Sequence, residues 1–203
     1  MTATERAPTR RGRPGHSLES LLEVAVAVFN ERGYDATSME ELAARLGVTK
    51  SAIYHHVPSK VELLRLALDR ALDGLFAVTG EPGATTGPAI DRLEHVVRGS
   101  VRVLAAELPF VTLLLRVRGN SPVEQAALQR RREFDRVVTD LVRAAEDEGD
   151  VRPDVDPAVT SRLLFGTVNS LTEWYRPGGG LSADDLADAL VVTTFDGLRT
   201  ASR

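Results

Sequence analysis

TSMEELAARLGVTKSAIYHHVPSK, residues 37–60, spells two short helices joined by a tight turn. Glu40 stands three positions after Thr37 and Glu41 three after Ser38, so either residue can open a capping box. Met39, Leu42, Ala43 and Leu46 repeat at intervals of three and four, which gives the first helix one apolar face. Gly47 falls where a helix C-terminus needs a left-handed residue. Val48 then turns into the core, and Thr49 caps a second helix over residues 50–56. That helix keeps Ala52 and Ile53 for packing and leaves Lys50, Ser51, Tyr54, His55 and His56 polar or amphipathic. Pro58 stops it, and Ser59 with Glu62 opens the next helix.

Two short helices around a glycine-containing turn form a helix-turn-helix, whose second helix fits a DNA major groove. The surrounding segment, VAVAVFNERGYDATSMEELAARLGVTKSAIYHHVPSKVELL, resembles the TetR family of transcriptional regulators over residues 18–68. The resemblance rests on Phe29, on RGY at residues 32–34, on Gly47-Val48, on YHH at residues 54–56 and on Ser59-Lys60. Val57 stands where the family usually has Phe. The resemblance implies an all-α chain of about nine helices: a DNA-binding domain over residues 17–62, then a ligand-binding and dimerisation domain over residues 63–203. It also implies double-stranded operator DNA, a small-molecule effector and a second copy of the chain as partners.

Within the helix-turn-helix, expected roles follow from reach. Thr49, Lys50 and Ser51 stand at the N-terminus of the reading helix, where the helix dipole favours a phosphate. Tyr54 and His55 are placed to reach backbone phosphates, and Lys60 to hold one at the next N-terminus. With Thr37, Ser38 and Ala52 these make up the expected DNA-contacting set. Adjacent His55 and His56 point roughly 100° apart on a helix, so they are not read as a metal site.

Bulk properties are consistent with this. The net charge is −4, but residues 1–66 hold nine Lys/Arg against eight Asp/Glu, and the remainder holds 16 against 21. DNA affinity depends on local phosphate neutralisation, so the acidic total does not exclude a DNA binder. Residues 1–16 carry four Arg and one Glu with no apolar face, and read as a disordered basic arm or a solvated tail. The chain has no cysteine, which excludes disulfides, thiolate metal sites and a Cys nucleophile and fits a cytoplasmic protein. No signal peptide is read at the N-terminus, and no apolar run approaches the roughly 18 residues of a membrane span. The four histidines, at 16, 55, 56 and 95, assemble no catalytic or metal-ligating spacing, so neither enzyme activity nor a cofactor is expected.

The rest of the chain reads as a helical body. A long helix is expected from Ser59 to about Thr79, with a loop at residues 80–87 and a helix from Pro88 to Glu107. Leu108-Pro109 is read as a break, followed by a short apolar helix over residues 110–119 that carries Arg116 and Arg118 to the surface. A helix over residues 122–147 follows, with Arg130, Arg131 and Arg132 assigned to its solvated face. The last two helices, after Asp156 and Ser182, are paired with their copies in a homodimer.

A second, narrower resemblance covers residues 171–190, LTEWYRPGGGLSADDLADAL, which is similar to the end of family members that answer acyl-CoA or aryl-CoA thioesters. The expected effector site comprises Leu104, Phe110, Leu114, Phe134, Val138, Leu141, Phe165, Asn169, Glu173 and Trp174. A CoA thioester would further need cations for its phosphates, from Arg116, Arg118 or Arg176. A lipophilic drug or antibiotic would need none. A ligand-sequestering module that does not bind DNA is the remaining alternative.

Overall fold

A computed structural model describes residues 17–198 of the chain. The basic arm read at residues 1–16 lies outside the described residues. The fold is all-α, with ten helices and no strand among the described residues. α1 (Leu18–Arg32), α2 (Met39–Leu46) and α3 (Lys50–Tyr54) form the N-terminal unit. α4 (Lys60–Thr79), α5 (Pro82–Thr85), α6 (Ala89–Ala106), α7 (Leu108–Arg116), α8 (Pro122–Asp147), α9 (Pro157–Trp174) and α10 (Ala183–Leu198) follow.

The helix count exceeds the expected nine because of α5, in a segment read as loop. Pro82 suits a first helical turn, and the Thr86 hydroxyl donates back to the Pro82 carbonyl at 2.8 Å. Burial of Ala84 under the turn completes it. The break read at Leu108-Pro109 is present, at Glu107 between α6 and α7, and the new helix takes in Pro109. It sits in the first turn of α7, where its missing N–H has no intrahelical partner to lose. That helix therefore runs from Leu108 and ends at Arg116, short of Gly119. α3 buries Ile53 and closes at Tyr54, short of the expected end at His56.

α4 is the central strut. Leu63, Leu64, Ala67, Leu68, Ala71 and Leu72 are all buried, and α4 packs against α1, α6, α7 and α8. Its contact with α6 is close at Gly99, where an added Cβ would overlap the Val78 side chain. Arg70 of α4 donates to both Glu107 carboxylate oxygens, at 2.8 and 2.9 Å, and lies 4.3 Å over the Phe110 ring. Arg130 does not face solvent as expected. It spans from α8 to Asp69 (2.9 Å) and Asp73 (2.6 Å) of α4. Between these helices Phe134 sits edge-on to Phe76 and Phe165, at 5.9 and 5.2 Å.

The turn into α8 is organised by Glu124, which is only 6% exposed. One of its oxygens accepts from the N–H groups of Arg118 (3.0 Å), Gly119 (2.8 Å) and Asn120 (3.1 Å). Burial by itself would push the Glu124 carboxyl up, but these bonds together with Ser121 outweigh it and hold the group below the usual carboxylate range. A depressed folded-state pKa contributes stability above the unfolded value near 4.5, lost as pH falls through the folded value. Glu124→Gln is expected to lower unfolding free energy at neutral pH by about 1–2 kcal/mol. It should also flatten the decline in stability on the acid side, as read by urea denaturation across a pH series.

Candidate DNA-reading surface and internal cavity

The sequence of α2 and α3 places their polar groups on one side. Ser38, not Thr37, is the N-cap of α2, accepting from the Glu41 N–H at 3.2 Å. Gly47 takes the left-handed conformation (φ 68°, ψ 33°) that turns the chain, and Thr49 accepts from the Ala52 N–H at 3.2 Å. Ile53 and Val57 are buried beneath α3. Thr49, Lys50, Ser51, Tyr54, His55 and His56 are exposed, Ser38 is exposed beside them, and Ala52 is half-buried. The α3 face is thus a cluster of hydroxyls, an ammonium, a phenol and imidazoles. Lys50 pairs with Glu40 of α2, and its Nζ lies 5.9 Å from the Tyr54 ring. That hydrogen bond lowers the Glu40 pKa and raises the Lys50 pKa.

Two members of the expected contact set are turned inward. Thr37 is 2% exposed, and its hydroxyl donates to the Gly33 carbonyl at 2.8 Å. Lys60 donates to the carbonyls of Tyr34 and Thr37, both at 2.8 Å, with its ammonium 4.3 Å over the Tyr34 ring. Tyr34 in turn packs edge-on against Phe29 at 5.2 Å, and burial pushes its phenol pKa up, with Asp35 and Glu124 adding to the effect. Side chains already committed to the protein's own backbone do not present donors to a duplex.

A cavity opens into the helical body between α4, α6, α7, α8 and α9. Five expected effector residues line it: Leu104, Leu114, Phe134, Phe165 and Asn169. Leu72, Leu75, Ser100, Val111, Leu115, Arg131, Asp135 and Val168 complete the wall. About 40 Å³ is open to the centres of water-sized molecules, enough for a few waters, so an organic ligand must spread the helices. Arg131, expected on a solvated face, is half-buried here. Desolvation lowers its pKa and raises that of Asp135, one helical turn away. Only Arg132 of the three arginines stays fully on the surface.

The other expected effector residues lie elsewhere. Phe110 and Val138 are buried in the core, and Leu141 lines a different hollow beside α5. Glu173 and Trp174 are exposed, Trp174 to 53%. Arg176 donates to the Tyr175 carbonyl at 2.8 Å and caps the end of α9, so the WYRPGG stretch is built as a helix terminus. Arg116 and Arg118 are exposed, line a cleft between α1 and α7, and do not touch the cavity. Among the described residues no cluster of three or more His, Asp or Glu could hold a metal ion. No helix there is long and apolar enough to cross a membrane.

Residues 21–67 match the family model for bacterial regulatory proteins of the tetR family, and residues 86–198 match that for the tetracyclin repressor-like C-terminal domain. The chain belongs to the TetR family. This TetR-family chain is 28% identical over 181 residues to the HTH-type transcriptional repressor KstR2 of Mycobacterium tuberculosis, covering 88% of the chain and 90% of that protein. It superposes on a crystal structure of a TetR-family member from Streptomyces coelicolor A3 with a TM-score of 0.83 and 56% identity, covering 89% and 91% of the two chains. It is also similar to AibR, crystallised with isovaleryl coenzyme A and operator DNA, at a TM-score of 0.75 and 25% identity, covering 88% and 97%.

The inward-facing cation makes a checkable difference within the TetR-type helix-turn-helix. Lys60→Met is expected to cost about 2 kcal/mol of stability, because two carbonyls are left without a charged donor and the Tyr34 ring without its cation. Lys50→Met should leave the urea midpoint where it is.

Proposed function

We propose that this chain is a ligand-controlled transcriptional repressor that binds a near-palindromic operator as a homodimer and is released by a small organic effector. The observation that carries it is the pairing of an exposed polar α3 face with an internal apolar cavity, on a fold shared with KstR2 and AibR. The contact set we assign to DNA is Ser38, Thr49, Lys50, Ser51, Ala52, Tyr54 and His55. Lys60 and Thr37 leave it, because both are bonded inward. The DNA-binding domain spans residues 17–62 and the effector-binding and dimerisation domain residues 63–203, with the boundary inside α4, so that helix serves both. No catalytic role and no cofactor are assigned, and the protein works in the cytoplasm, where its DNA target lies.

A physical route joins the two ends. α7 lines the cavity through Val111, Leu114 and Leu115. The Asn30 amide of α1 donates to the Pro109 carbonyl at 2.8 Å, and Arg116 donates to the Asn30 carbonyl at 2.8 Å. One residue of α1 thus grips α7 near both ends. A ligand that displaces α7 tilts α1 and, with it, the helix-turn-helix. By linkage the operator weakens effector binding by the same factor.

The effector has an apolar body of acyl or aryl type, for which the isovaleryl coenzyme A of AibR is a precedent. None of the arginines expected to hold CoA phosphates reaches the cavity, so a CoA moiety would extend beyond it. The dimer forms through α9 and α10. Leu163 and Val192 are 65% and 60% exposed, and Gly166, Thr167 and Ser170 lie on exposed positions of α9 that allow close approach.

In a gel-shift assay on DNA upstream of its own gene, Lys50→Ala with Tyr54→Ala is expected to weaken binding at least about tenfold, since two groups that hold phosphates are removed. Unchanged affinity would refute the assignment. DNA binding absent from the native protein, with ligand binding present, would favour a sequestering module instead. Leu163→Arg together with Val192→Arg is expected to convert the dimer to monomer in size-exclusion chromatography with light scattering.

A further inference from the structure

The cavity is apolar apart from a few groups, and two of those, Arg131 and Asn169, have donors left over. Arg131 carries five N–H donors. Among the described residues one of them reaches a partner, the Leu114 carbonyl, at a long 3.4 Å. Among the described residues no carboxylate lies within ion-pairing distance of the guanidinium, although Asp135 follows four positions later on the same helix face. Asn169, across the cavity on α9, has a side-chain amide with no hydrogen-bond partner among the described residues. Ser100 is already satisfied by the Val96 carbonyl at 2.7 Å. A half-buried guanidinium with open donors is expensive to leave uncompensated.

Building on the effector-binding reading above, we infer that the effector is an apolar carboxylic acid whose carboxylate seats on Arg131. Burial separates the two charged wall groups. Arg131 is the more buried, and Asp135, nearer the rim, is the more exposed of the two although the wall still desolvates it in part. A cationic ligand would leave the deeper charge unmatched, and a neutral one would leave both as they are. A carboxylate matches the planar fork of Arg131 and is a stronger acceptor than an amide carbonyl. Seating it draws Arg131 from the Leu114 carbonyl, which belongs to the last turn of α7. Head-group recognition and displacement of α7 are then one event. Thr160, whose buried hydroxyl also lacks a partner, does not line the cavity and plays no part.

The test is isothermal titration of the full dimeric chain with hexanoate, phenylbutyrate and decanoate, each beside its amide and its amine, and with isovaleryl coenzyme A. At least one acid is expected to bind about tenfold or more tighter than its amide. Arg131→Gln should erase that preference while leaving amide affinity within about twofold, and Arg131→Lys should restore part of it. Circular-dichroism melts establish that both variants fold. The inference is overturned if amide or amine binds as tightly as the acid, or if the preference survives Arg131→Gln. It is equally overturned if no acid binds up to ~1 mM, or if isovaleryl coenzyme A alone binds with an affinity that Arg131→Gln leaves unchanged. An acid that binds through Arg131 yet leaves the DNA complex intact in a gel shift upholds the site and sinks only the repressor-release reading.

Discussion

One ammonium group ties the DNA-facing end of the molecule to its body. Lys60 begins α4, and its two 2.8 Å bonds end on the carbonyls of Tyr34 and Thr37, in the connection between α1 and α2. The Tyr34 ring lies beneath the same cation and rests on Phe29 of α1. Three helices therefore share one charge. The carbonyls it satisfies would otherwise be partly buried acceptors with nothing to accept, so the position of α2 and α3 relative to α4 is electrostatically specified as well as packed.

From that junction the rest follows by short steps. α4 carries the geometry into the body through Arg70 on Glu107 and through Asp69 and Asp73 on Arg130. α7, held against α1 by Asn30, faces the cavity on its other side. The cavity and the exposed face of α3 are thus separated by few packed elements, each fixed by named polar contacts as well as by apolar area. Proteins of this family are transcriptional regulators, and the arrangement is what such a function requires: two faces sharing a small number of rigid parts.

Local signals in the sequence are strong where the physics is local. Ser38, Thr49, Ser59, Asp156 and Ser182 cap as their spacing predicts, and Gly47 turns as expected. Errors arise where a residue's partner is distant in the chain. Lys60 meets carbonyls 23 and 26 positions away, so in sequence it resembles a free phosphate ligand. Arg130 and Arg131 sit in a run of three arginines that reads as surface, yet their partners lie on α4 and α7. Half the expected cavity wall is legible because large apolar residues on α6 to α9 have few other places to go. The charged members are not, because periodicity does not say which charged residue is swallowed. Trp174 and Glu173 stand exposed outside the cavity wall, and an aromatic motif before Pro-Gly serves equally well as a helix stop.

The pair between Lys50 and Glu40 changes the ionic accounting of any encounter with a polyanion. A free lysine that lands on a phosphate liberates one condensed cation from the duplex, and that entropy drives indiscriminate adhesion. Here the carboxylate of Glu40 already stands in for the phosphate, so the exchange swaps one anionic partner for another. The exposed α3 face is thereby left with less unspecific stickiness than its composition implies, and in a DNA complex more of its hold would have to come from shape and base contacts.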